Sequence, residues 1–327
     1  MTYSRKIQKL GESLYVSLPM SWAKQMQLQK GDTIELVQQP TNSLVLYGHT
    51  TEDKAHTITL TLTTTESINS IKRKLTGAYL DGYDIIQLSF NNRIPLQQQN
   101  ALRDIIDEFF GLEIITISAT EIITQCLLSK TLPIPNIIQR IHDIIITSLR
   151  ESTSAFLHRD TNILEDIIRR KREVQRLTLV VNRLLRMSIL FPGKTSTLTL
   201  IDNVDYQRVL DKMNNVFKTV IQISTNTTSL QQPLTQEIET SLQQQSEDVI
   251  EAYDNAIRAL TLKEITIANK ILDIITLPQI QNFKQPSYTP EQMVNIIAIR
   301  SFQDNLQHIL SFAQDIAELA IDKSEEP

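Results

Sequence analysis

A single cysteine, Cys126, stands among 327 residues, which excludes a disulfide framework and any multi-cysteine zinc site. Glycine and proline are scarce as well. The 7 glycines and 11 prolines compare with about 23 and 16 at average usage. That scarcity argues against an all-β protein full of tight turns and against glycine-rich phosphate loops. No apolar run reaches about 18 residues, so no transmembrane helix is expected. The opening MTYSRKIQKLGES lacks the apolar core of a signal peptide, and a cytoplasmic protein is the expectation. What remains is a chain 41% hydrophobic and 21% charged, a composition that folds. At roughly 150 residues per domain it predicts two domains, or three if one is small.

The net charge of −5 is unevenly placed. Residues 1–48 hold five cations (Arg5, Lys6, Lys9, Lys24, Lys30) and three anions (Glu12, Asp32, Glu35). Any affinity for a polyanion is therefore sought at the N-terminus. There, Leu14, Val16 and Leu18 alternate with Tyr15 and Ser17, the period of a half-buried strand. Pro19 ends it, and Ser21 is a candidate cap for a short helix to about Leu28. Lys30-Gly31-Asp32 turns into a strand at Thr33–Val37, and Pro40-Thr41-Asn42 links that to Ser43–Tyr47 as a hairpin. So short a segment buries too little apolar area to be secure alone. It needs either the next domain or a second chain.

Residues 55–130 alternate strand and helix: strands at His56–Leu62, Asp84–Phe90 and Leu112–Ile117, helices at Thr65–Leu80 and Leu96–Phe110. Ser118 followed by Glu121 is a capping-box pattern that predicts a further helix. The order suggests a small α/β domain with its helices on one face of the sheet. From Pro135 onward the periodicity is helical throughout. A break at Pro192-Gly193 separates the second helix from the third, and Pro233 separates three helices from three more, which predicts a duplicated three-helix bundle. Thr261…Glu264 and Thr289-Pro290…Gln292 are expected to cap the fifth and sixth helices.

Few motifs carry chemistry. Pro192-Gly193-Lys194-Thr195 looks like the end of a phosphate loop, but Ser188 stands where the first glycine belongs and a helix precedes it. It reads as an inter-helix loop. The five histidines include no His-x-x-x-His pair, and no nucleophile motif is present, so no enzyme activity and no cofactor are expected. The basic run Arg169, Arg170, Lys171, Arg172, with Arg176, Arg183 and Arg186, reads first as a solvated face paired with Glu165, Asp166 and Glu173. The sharper reading makes Arg169, Arg170, Arg172 and Arg176 a docking surface for an acidic partner.

The stretch from Arg5 to Lys24, with its Gly-x-Ser-Leu-x-Val-x-Leu-Pro core at 11–19 and Lys-Gly-Asp at 30–32, resembles the SpoVT/AbrB family of swapped-hairpin DNA-binding domains. The resemblance covers residues 4–47 and implies that two chains interleave into one small barrel. It implies that Arg5, Lys6, Lys9 and Lys24 meet the phosphates of double-stranded DNA. Met20 stands where many relatives carry lysine. The helical part resembles the PhoU phosphate-signalling proteins over 133–322, on Glu173-Val174, Asp205-Tyr-Gln-Arg-Val and Asp315-Ile-Ala-Glu318. Archaeal regulators join such a head to such a body. The expected architecture is thus a swapped-hairpin head at 1–48, an α/β segment at 55–130 and a PhoU-like pair of three-helix bundles at 133–327. The implied function is a dimeric transcriptional regulator of phosphate uptake; the alternative is an interaction protein docking on a phosphate transporter or signalling kinase. Such bundles typically hold metal through paired acids. Here Lys171 and Gln175, Asn214 and Lys218, and Gln307 and Ser311 stand at those places, so a metal-free body is expected, with Asp211, Asp304 and Asp273 as ligands only in a shifted register.

Overall fold

The computed structural model describes residues 3–38, 43–48, 55–129, 131–191, 198–274, 276–278 and 289–324. The Pro40–Asn42 linker and the Pro192–Thr195 motif lie outside them.

The head consists of two hairpins and a short helix. β1 (Gln8–Leu10) pairs antiparallel with β2 (Ser13–Tyr15), Lys9 facing Leu14. Gly11, at φ +63°, permits the two-residue turn between them. The strand expected to reach Leu18 stops at Tyr15, because its partner begins at Gln8 and offers nothing to pair with Val16–Leu18. α1 (Met20–Gln25) starts directly after Pro19, so Ser21 lies inside the first turn and is not its cap. β3 (Ile34–Gln38) and β4 (Leu44–Gly48) form the second hairpin.

The middle segment is β5 (Thr57–Leu62), α2 (Ile68–Leu80), β6 (Ile85–Phe90), α3 (Leu96–Ile106), β7 (Leu112–Ile117) and β8 (Glu121–Cys126). Its sheet is mixed, in the order β5-β6-β8-β7, with β5 and β6 parallel. The helix expected after Ser118 is instead strand β8. The Ser118 amide donates to Glu121 O at 2.8 Å, closing a two-residue hairpin turn. Ile122, Thr124 and Cys126 then alternate inward. Both helices cover one face, where Ile71, Leu75 and Tyr79 meet Leu62, Ile86, Leu88 and Phe109.

The body is helical: α4 (Ile134–His158), α5 (Ile163–Leu190), α6 (Leu200–Thr227), α7 (Gln236–Leu262), α8 (Ile265–Leu272) and α9 (Pro290–Ser324). α4, α5 and α6 pack together, as do α7, α8 and α9; α4 crosses to α7 and α6 to α9. The paired bundles share one continuous core, with Phe156 stacked on Phe302 at 4.1 Å between them. Thr289 and Gln292 make the reciprocal bonds of a capping box. Thr261 does not. It sits inside α7, where its hydroxyl donates to Ile257 O, and Glu264 stands at the N-cap position of α8 without a side-chain capping bond.

Candidate nucleic-acid interface and docking surfaces

Among the described residues of the head, none is buried. Leu10, Leu14, Met20, Leu36 and Leu44 are each at least 60% exposed. A soluble chain does not leave this much strand-borne aliphatic surface wet without a use for it. The cations expected to meet DNA sit on the same unit. Arg5 and Lys6 precede β1, Lys9 lies within it, and Lys24 occupies the last turn of α1. All four are exposed. The Arg5 guanidinium lies 5.8 Å over the Tyr3 ring and donates to Ser4 O. Among the described residues none of the four has a carboxylate within 4 Å, so their charge is free for an outside anion. A bond between Tyr3 Oη and Ser21 Oγ at 2.9 Å ties the start of the chain to α1.

The arginines of α5 do not form one patch. Arg169 pairs with Asp166 at 3.0 Å, and Arg170 reaches Glu151 at 2.6 Å and Ser148. Arg172 is exposed. Arg176 turns toward the middle segment, its guanidinium 5.6 Å over the Phe110 ring.

Further along α5 the sequence reading missed a joint. Arg183, expected on a solvated face, is instead 2% exposed, the largest fully buried side chain among the described residues, because it reaches across to the end of α2. Its guanidinium donates to Tyr79 O and to Tyr83 O at the C-terminal end of α2, and lies 3.9 Å from Asp84. Helix ends leave carbonyls without partners; here a cation from another element satisfies one and offsets the negative end of the helix dipole. Around it Arg186 pairs with Asp81, Met187 packs on Gly82, and Phe191 meets the His56 ring at 5.2 Å. The sequence did hold a signal, an arginine inside the apolar stripe of Val180, Val181, Leu184 and Leu185.

The positions where acids were expected for a cation make ordinary contacts instead. Glu173 pairs with Arg140, Asn214 accepts from Thr178, Lys218 donates to Asn215, and Gln307 accepts from the Leu277 amide. Two lysines and three amides are not a donor set that fits a metal ion. Among the described residues no three His, Cys, Asp or Glu side chains gather as one.

A groove of about 620 Å³ runs between α4 and α7, floored by Thr153, Leu157, Ser246 and Ile250. At one end buried His142 shares a 2.9 Å hydrogen bond between its Nε2 and Asp254 Oδ1. At the other, His158 lies 4.0 Å from Glu239. At the α6 N-terminus, burial raises the pKa of Asp205. Neighbouring Asp202 is also pulled up by burial, but hydrogen bonds from Thr199 and Lys323 outweigh that and lower it.

Residues 7–50 match the family described as antidote-toxin recognition MazE, bacterial antitoxin. Residues 138–216 match the PhoU domain. No curated protein matches the chain, and among the described residues no helix is long and apolar enough to cross a membrane.

Proposed function

We propose that this chain is a cytoplasmic DNA-binding transcriptional regulator, dimeric through its head, whose helical body receives a signal or partner connected with phosphate uptake. The observation that carries the reading is the head itself: four cations, Arg5, Lys6, Lys9 and Lys24, with no carboxylate partner among the described residues, on a unit none of whose described residues is buried. Two such units can cover each other's apolar strand faces, and pairing them doubles the positive surface offered to a duplex. The matched families, an antitoxin type in the head and PhoU in the body, support that division of labour. Phosphate contacts of this kind supply affinity and register rather than sequence choice.

Replacing Arg5 and Lys6 together by alanine tests it. Binding to random duplex DNA should weaken, and its salt slope should flatten by about two units, because two fewer counterions are released. Unchanged affinity with the fold intact removes the DNA assignment from this strand. A second reading is favoured by one observation: Met20, 72% exposed, places an apolar group where the resemblance leads one to expect lysine. On that reading the head only dimerises, and the body docks on a phosphate transporter or sensor kinase. Binding to DNA that is absent even at low salt would select it.

A further inference from the structure

The helical body is electrically divided. α4 and α5 together carry nine Lys and Arg against five Asp and Glu, or six against five once Arg176, Arg183 and Arg186, which face the middle segment, are set aside, whereas α7 and α8 carry two against six. Packing puts α5 beside α4, α4 beside α7, and α7 beside α8, so these four elements form one side of the body, weakly basic in one half and acidic in the other. The groove runs down the boundary. Its α4 rim presents Arg150, Ser154 and His158, and its α7 rim presents Gln243, Glu247, Glu251 and Asp254. Arg150 has no carboxylate within 4 Å, and Glu247 and Glu251 have no Lys or Arg within 4 Å, among the described residues. The two rims face outward with their charges unspent.

We propose that this side of the body is an interface for a second copy of the chain. A two-fold axis along the groove lays α4 of one copy over α7 of the other, so each basic half meets an acidic half, and does so twice. An axis across the groove would set α4 on α4 and α7 on α7, like charge on like, and is excluded by the same reasoning. The register follows from contacts within one chain. His142 is level with Asp254 and His158 with Glu239. Midway between them Arg150 is level with Glu247, and Ser154 with Gln243. In the paired arrangement Arg150 of one copy therefore comes over Glu247 of the other, and Ser154 over Gln243. The interface is mostly polar and needs no head contact, so it stands or falls separately from the head dimer.

Cross-linking the full-length chain tests it. A chain carrying Ser154→Cys is co-expressed with one carrying Gln243→Cys and mildly oxidised; both positions are exposed, while native Cys126 is buried. A mixed disulfide dimer should form in dilute salt. Its yield should fall about tenfold near 1 M salt, where the screening length shrinks to about 3 Å. Adding Arg150→Glu to both chains should abolish it by a comparable factor. Placing Arg150→Glu on one chain and Glu247→Arg on the other should restore it, since every contact is then opposite in sign. No mixed disulfide in dilute salt from any pairing overturns the proposal and leaves the groove to a foreign occupant. A cross-link indifferent to salt and to charge reversal overturns it too.

Discussion

Replacing Arg183 by methionine should cost about 3–5 kcal/mol of stability, the range for breaking a buried charge network from one side. The figure can be assembled from the contacts. Methionine fills most of the volume of the arginine stem, so the cavity contribution is small. Tyr83 O loses its guanidinium donor, at about 1–3 kcal/mol where water cannot replace it, while Tyr79 O loses one of two donors and keeps the Gly82 amide at 3.2 Å. Asp84, 3.9 Å away, loses its cation, and the Tyr79 ring loses a charge at 4.9 Å from its centre. Arg183→Lys keeps the charge but cannot fork to two carbonyls, and should cost about 1–2 kcal/mol. Urea unfolding followed by circular dichroism measures both, and the midpoint should order wild type, lysine variant, methionine variant. The reasoning fails if the methionine variant loses less than about 1 kcal/mol, since a carbonyl left without its donor beside a carboxylate left without its cation cannot be that cheap.

Other perturbations probe other links. Gly82→Ala should lower stability by about 1–2 kcal/mol, because φ is +85° there and the new Cβ would lie 3.0 Å from Met187 Cγ; a thermal melt reads the loss. Phe302→Ala removes one ring of the stacked pair between the bundles and should cost about 3–5 kcal/mol in urea unfolding. Asp205→Asn should stabilise at pH 7. Because folding raises the Asp205 pKa, the wild-type penalty is fully present above the folded pKa and disappears below the unfolded value of 3.8. The gain from asparagine should accordingly shrink as a pH series descends toward 4, and a gain that grows toward acid would contradict the burial argument.

Helical spacing, read from isoleucines and leucines, was enough to find the body, because each long helix buries a single stripe against a common core. Of Ile137, Ile141, Ile145 and Leu149, read as one face of α4, the last three are buried and Ile137 is half-buried against the same core. Short-range polar signals were less reliable. Thr289…Gln292 forms its box, but Ser118…Glu121 has the same spacing and closes a hairpin. A hydroxyl three residues before an acid satisfies local amides equally well in a turn and at a helix start. What decides is the following run, and Ile122-Ile123-Thr124-Gln125-Cys126 pairs between β6 and β7. The four cations of the head were legible from charge distribution and from the family pattern. The Arg183 joint was not, since its partners lie about 100 residues away in sequence and are backbone carbonyls, which no residue type advertises.

Stability and recognition are held by different parts of this chain. The body and the middle segment each own a buried core, and α5 fastens them together through Arg183, Arg186 and Met187. The joint reaches to Phe191 and His56, immediately before β5. The start of β5 is therefore held against the body. A head none of whose described residues is buried has little stability of its own to lose, so its folding is set by what it meets, another copy or a polyanion. A change in the body that tilts α5 would carry the start of β5 with it. On the proposed function, that order suits a head whose binding is governed by the body behind it.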